Sequence, residues 1–370
     1  MKKNKKILIV GAGITGITLA ERFANVGNTV LIIEKREQIG GNCYDYKNDN
    51  NLLVHKYGPH IFHTDYKDVW NYLSKFTEWI PYKHKVTGLI DGKNVPIPFN
   101  LDTLNKLIPE KSEKLEKKLI NYFGKNKKVT ILDLKKLKDS DFKFLANFIY
   151  EKVFLYYTQK QWGLKPEKID PSVTARVPIN ISQEDGYFFD KYQAMPKNGY
   201  TAMFKKMLAH KNIKINLNTD YKKNKNNTDF DLIYYSGPID EFFNYEFGRL
   251  EYRCFKLMLK TFNKKDFQPS AVVNYPDLEH RFTRTTEFKK LTMQKNSKTI
   301  IAYEYPGKTG YVGWPFLNDK NNKILSKYNS KAKKIKKVTF VGRLGEFKYY
   351  DMDDAINNAL NIFNKNNHGK

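Results

Sequence analysis

Ile7-Leu8-Ile9-Val10-Gly11-Ala12-Gly13-Ile14-Thr15-Gly16 is the stretch that decides the fold of this chain. Four apolar residues stopped by glycine describe a strand buried on both faces, as in the middle of a parallel sheet. From Thr15 to Val26 the apolar residues Ile17, Leu19, Ala20, Phe23 and Ala24 recur at helical spacing, and Gly27 closes the segment. Thr29-Val30-Leu31-Ile32-Ile33 is a second buried run, ending at Glu34. Strand, glycine turn, helix and strand form a βαβ unit with a right-handed crossover. In that context G-x-G-x-x-G permits a tight turn, close approach of a pyrophosphate and close helix–strand packing. The phosphates then meet the positive end of the helix dipole, and Glu34 accepts hydrogen bonds from a ribose diol. Gly11, Gly13, Ile14, Thr15, Gly16 and Glu34 are therefore the expected dinucleotide contacts.

Working outward, 370 residues suggest two or three domains, and 41% hydrophobic content is enough to build cores. The formal net charge is +26, which raises the question of nucleic-acid binding. The lysines are spread along the chain beside asparagines, as in Lys222-Lys223-Asn224-Lys225-Asn226-Asn227, so the expectation is solvated faces and no nucleic-acid partner. Such a field still attracts a polyanionic substrate. Only eight residues are Arg: Arg22, Arg36, Arg176, Arg249, Arg253, Arg281, Arg284 and Arg343. In a chain that otherwise uses Lys, these are candidates for sites that need a planar fork. Two cysteines, Cys43 and Cys254, make no disulfide framework, and a reducing cytoplasmic location is expected. The apolar run at the N-terminus is too short for a signal peptide, and no 18-residue apolar stretch suggests a membrane span.

The fold class expected is α/β: a discontinuous Rossmann-type domain with a parallel sheet, a helical insert and an antiparallel-sheet domain. Residues 101–137 and Asp141–Tyr157 read as helices, and residues 250–316 alternate in the manner of an antiparallel sheet. Ile213–Leu217, Leu232–Tyr235 and Val338–Val341 read as strands returning to the first domain, with Asp353–Phe363 as a closing helix. The expected boundaries are 1–85, 202–245 and 325–370 for the Rossmann domain. The helical domain takes 100–165, and the sheet domain 86–99, 166–201 and 246–324.

Glu34-Lys35-Arg36-Glu37-Gln38-Ile39-Gly40-Gly41-Asn42 resembles the second glycine doublet that many FAD enzymes place after the ribose-binding acid. Phe340-Val341-Gly342-Arg343 resembles their last strand, which brings the flavin ring to the N-terminus of the closing helix. Tyr57-Gly58-Pro59-His60-Ile61-Phe62-His63-Thr64 then adds something more specific. Its two histidines have no further ligands at suitable spacing, so no metal is expected. The segment resembles the Tyr-Gly-x-His-Ile-Phe-His-Thr signature of the bacterial UDP-galactopyranose mutase family. Tyr157-Thr158…Gln161-Trp162-Gly163, Arg176-Val177-Pro178-Ile179, Tyr187-Phe188, Pro196-Lys197…Gly199-Tyr200-Thr201, Phe282-Thr283-Arg284 and Gly342-Arg343-Leu344…Tyr349-Tyr350-Asp351-Met352 extend the resemblance in order along nearly the whole chain.

The resemblance implies isomerisation of UDP-galactopyranose to UDP-galactofuranose for surface glycans. FAD, active when reduced, would use its N5 as covalent nucleophile at the anomeric carbon. It implies that Arg176 and Arg284 hold the departing diphosphate and that His60 lies beside the flavin ring. For substrate it implies Tyr157, Thr158, Trp162, Tyr187, Asn274, Trp314, Tyr349 and His84. For the cofactor it adds Lys35, Gly41, Asn42, His60, Ile61, Thr219, Arg343, Tyr350, Asp351, Met352 and Ala355. A homodimer and an external reductant, such as NAD(P)H or a flavin reductase, are implied as well. Trp314 stands where the family usually has Tyr, and Pro59 and Pro81-Tyr82-Lys83-His84 also depart from its best-known members. These changes leave other nucleotide sugars open: dTDP-fucose, UDP-N-acetylgalactosamine or a CDP-6-deoxyhexose. An FAD-dependent oxidoreductase is the competing class, because it shares the first domain.

Overall fold

The computed structural model describes residues 4–163, 178–223 and 229–368. The chain divides into two compact units. The first comprises Met1–Pro81, Asp190–Tyr252 and Gly313–Lys370, the second Tyr82–Phe189 and Arg253–Val312.

The first unit is built on a five-stranded parallel sheet. Its order is Ile213–Asn216, Thr29–Ile33, Lys6–Val10, Leu232–Tyr235 and Val338–Phe340. Ile7, Leu8 and Ile9 are fully buried, which is why the central strand carries no polar residue between Lys6 and Gly11. The strand order reverses direction at Lys6–Val10, so the crevice for a ligand opens beyond its C-terminal end, at Gly11. The helix Ile14–Asn25 starts there and packs against the closing helix Met352–His368, with the Phe23 and Phe363 rings 5.2 Å apart. A small antiparallel sheet of Phe62–Thr64, Tyr192–Pro196 and Trp79–Pro81 supports the histidine segment.

The second unit combines helices and a seven-stranded sheet over one core. Val86, Ile90, Val95, Ile97 and Val272 of the sheet are buried with Leu104, Leu115, Leu119, Leu134, Leu145 and Ile149 of the helices. The sheet is antiparallel as expected at strand pairs such as Val272–Asn274 with Arg284–Glu287, but one junction is parallel: Val272–Asn274 runs alongside Val86–Gly88. A parallel pair requires a long crossover, and the helices Leu101–Leu107 to Tyr156–Trp162 lie in the connection between those two strands. The expected helix over Asp141–Tyr157 runs as Ser140–Ile149, a π-helical segment Tyr150–Leu155 and a final α-helical segment, Tyr156–Trp162. Asp139 starts it by accepting hydrogen bonds from the amides of Asp141 and Phe142. Gly163 ends it in the left-handed conformation, at φ 64°.

Candidate cofactor and substrate sites

In the first unit the two glycine loops meet. Gly40 N donates to Ala12 O at 2.8 Å, and Gly13 pairs with Gly40 in a parallel bridge. Gly41 has φ +56°, and a Cβ there would stand 2.9 Å from Gly13 Cα. A Cβ on Gly16 would stand 2.1 Å from Gly11 O, which explains the third glycine of the motif. No acidic residue lies in the first turn of Ile14–Asn25, leaving its amides and dipole for phosphate.

Glu34 is buried, and its carboxylate organises the corner where the glycine turn meets the end of the second strand. Oε2 accepts from Ala12 N at 2.8 Å and Oε1 from Arg36 N at 2.9 Å. Each oxygen keeps a further lone pair for a hydroxyl. Thr219 N donates to Glu34 O at 2.8 Å, which brings Thr219 to the same corner. Lys35 and Arg36 turn in different directions. The Lys35 side chain is 58% exposed, with Nζ 3.9 Å from Glu241, so only its backbone lies in the loop. Arg36 folds back, its guanidinium 4.5 Å from the Tyr57 ring and both terminal nitrogens 3.3 Å from Asn42 Oδ1. Arg36 was not among the expected contacts, although the scarcity of Arg had marked it.

His60 is held at three points. Its amide donates to His55 Nδ1 at 3.1 Å, its Nδ1 lies 2.9 Å from Gly58 O, and its carbonyl accepts from Tyr200 Oη at 3.2 Å. Burial lowers the His55 pKa to about 4, so the ring is neutral and its Nδ1 accepts the His60 amide. Ile61 follows, and His63 Nδ1 pairs with Asp190 at 3.1 Å. Asp45 anchors the block behind, accepting from Tyr200 N at 2.6 Å and Thr201 N at 2.8 Å. Burial raises the Asp45 pKa against the pull of those bonds.

Arg343 donates to Gly313 O at 2.9 Å and to Tyr350 O at 2.6 Å, tying Gly342-Arg343 to the segment before the closing helix. Glu346 completes that turn by accepting from Gly342 N, Tyr350 Oη and Asn358 Nδ2. Asp351 precedes Met352 as the helix begins, and Ala355 N donates to its carbonyl at 3.1 Å. The Trp314 and Tyr349 rings stack 6.4 Å apart at 11°.

In the second unit the anion-binding candidates gather on Arg284. It opens the strand Arg284–Glu287 and pairs in register with Asn274, the last residue of Val272–Asn274. Arg284 Nε and Nη2 both donate to Glu304 Oε2, at 2.9 and 2.8 Å, and Glu304 is 2% exposed. Burial alone would lower the Arg284 pKa, but Glu304 outweighs it, with Tyr157 and Tyr187 adding to the rise. A guanidinium fixed on one edge keeps its other N–H groups for a ligand anion. His84 is buried beside Tyr187, their rings 5.7 Å apart, and Tyr187 N donates to His84 O at 2.8 Å. Thr158 and Trp162 are buried on the helix that carries Tyr157. The sequence reading missed Glu304, whose signal was only an acidic residue in an apolar strand, and His55, which lies outside every quoted motif. Arg176 lies outside the described residues. Among the described residues no group of three or more His, Cys, Asp and Glu side chains is placed to hold a metal ion. No helix of these residues is long and apolar enough to cross a membrane.

A Rossmann sheet with paired glycine loops and a buried acid at the end of the second strand defines the first unit as a dinucleotide-binding domain, and a family model for NAD(P)-binding Rossmann-like domains matches residues 9–76. A model described as UDP-galactopyranose mutase matches residues 152–349. The chain is 37% identical to a probable UDP-galactopyranose mutase of Klebsiella pneumoniae, over 96% of this chain and 93% of that one. It is 35% identical to a dTDP-fucopyranose mutase of Escherichia coli, over 98% and 99%. A crystal structure of reduced UDP-galactopyranose mutase superposes with a TM-score of 0.77 at 14% identity, covering 100% of this chain and 95% of that one. The chain belongs to the UDP-galactopyranose mutase family of enzymes, and FAD is its cofactor.

Proposed function

We propose that the protein interconverts UDP-galactopyranose and UDP-galactofuranose, with FAD in its reduced state. The observation that carries this reading is the Arg284–Glu304 pair with Tyr157 and Tyr187 about it. An oxidase acting on a neutral amine has no use for a half-buried guanidinium oriented by a buried carboxylate, whereas a departing nucleoside diphosphate does. Bound reduced FAD supplies a nucleophilic nitrogen, N5, for the anomeric carbon. The chain's residues do the rest. Arg284 binds the diphosphate and holds it for the return step, and Arg176 is proposed as its second clamp. Tyr157, Thr158, Trp162, Tyr187, His84, Asn274, Trp314 and Tyr349 are proposed to bind the nucleotide sugar. The loops at Gly11–Gly16 and Gly40–Asn42 would hold the FAD phosphates and Glu34 the ribose, with His60, Arg343 and the start of the closing helix at the ring.

A second reading is supported by the 35% identity to a dTDP-fucopyranose mutase. Trp314 bears on the same question, since its indole N–H donates but cannot accept. The reading extends to a cytoplasmic homodimer that supplies furanose sugars for surface glycans and draws electrons from NAD(P)H or a flavin reductase. The test is a panel of UDP-, dTDP- and CDP-linked sugars presented to reduced protein. UDP-galactose is expected to give the highest kcat/KM, and a dTDP-6-deoxysugar that outpaces it establishes the second reading. Arg284→Lys keeps the charge against Glu304 but loses the fork. It is expected to lower kcat/KM by about 100-fold with flavin still bound.

A further inference from the structure

Lys160 lies on the helix Tyr156–Trp162, two residues before Trp162 and three after Tyr157. Its ammonium donates to three backbone carbonyls: Tyr275 O at 2.6 Å, His280 O at 3.0 Å and Phe282 O at 3.1 Å. An ammonium has three hydrogens, so its donor capacity is spent on one loop. Residues 275–283 connect Val272–Asn274 to Arg284–Glu287, so the loop's two ends adjoin Asn274 and Arg284. The loop is closed by Tyr275 N donating to Thr283 O at 2.9 Å and is lined by the Tyr275, His280 and Phe282 rings. Asp277 fastens the middle by accepting from His280 N at 2.9 Å. At the helix end Gly163 lies against Arg253, where an added Cβ would be 3.4 Å from the guanidinium.

The geometry points to Lys160 as a positioning residue that locks the helix of Tyr157 and Trp162 to the hairpin of Asn274 and Arg284, and so sets the spacing of the groups that receive the diphosphate. The inference rests on the proposed function. A half-buried cation shared by three carbonyls is stiffer than apolar packing, because each bond is charge-assisted and directional. Burial disfavours the charged amine, so a site that merely needed packing would be better served by an apolar residue.

The experiment compares the full-length, flavin-loaded protein with Lys160→Met and Lys160→Arg. Hydrogen exchange is read over 156–163, 275–283 and the Gly11–Gly16 loop, and UDP affinity is measured by calorimetry. Lys160→Met is expected to speed exchange in 156–163 and 275–283 together, to leave Gly11–Gly16 unchanged and to weaken UDP binding about tenfold. Lys160→Arg, which still donates to carbonyls, is expected to recover part of that affinity. Unlinked exchange, or a lower melting temperature with UDP affinity intact, reduces Lys160 to a structural residue and overturns the proposal. Wild-type protein that does not bind UDP defeats the functional reading itself, and the positioning role falls with it.

Discussion

At the residue scale, the side chains that do most here are those whose partners are buried. His55 is 1% exposed, and its ring accepts the amide that fixes His60. Its folded pKa, about 4, lies below the 6.5 of an exposed imidazole. Between those values the unfolded chain binds the proton and the folded one does not. His55 therefore contributes stability that is complete above pH 6.5 and lost as the pH falls towards 4. The loss amounts to about 3 kcal/mol at most. Urea denaturation at pH 7 and pH 4.5 is expected to show a smaller drop in His55→Asn than in the wild type. An equal drop in both would mean that another group carries the acid lability. Arg284 and Glu304 illustrate the legibility of single residues. The arginine was readable from its rarity and its motif, whereas its buried carboxylate partner was not, because register between distant strands decides which acid meets which arginine.

At the scale of elements, the sequence spoke most clearly where burial is complete. Lys6–Val10 and Thr29–Ile33 were legible because a strand covered on both faces admits only apolar residues. The parallel pairing of Val272–Asn274 with Val86–Gly88 was not legible. Local alternation is the same for either direction, and only the long helical crossover decides it. The meeting of the two glycine loops was half legible: both glycine clusters stood out, but the parallel bridge between them did not. It carries a sharp expectation. Gly41→Ala forces a Cβ against Gly13 Cα at a backbone angle that alanine adopts only with strain. The variant is expected to lose about 1–2 kcal/mol of stability and to purify with less flavin, measured from the 450 nm absorbance per protein. A fully yellow variant of unchanged stability would mean that the loops do not close on the cofactor as proposed.

At the scale of the whole molecule, the division of labour follows the chain. Three segments return to one parallel sheet that serves the cofactor, and two build the unit that carries Arg284. The net charge of +26 surrounds both with a field that favours a dianionic nucleotide sugar over neutral compounds. What composition cannot reveal is whether the flavin is spent as an oxidant or used as a nucleophile, because both chemistries share the Rossmann unit. The direct measurement is chromatography of UDP-galactose after incubation with the protein, once reduced with dithionite under argon and once oxidised in air. The account predicts a furanose isomer, formed to a fixed equilibrium ratio by the reduced protein and at background level by the oxidised one. Unchanged UDP-galactose with the reduced, flavin-replete protein, or isomer formed equally well by the oxidised form, would contradict it.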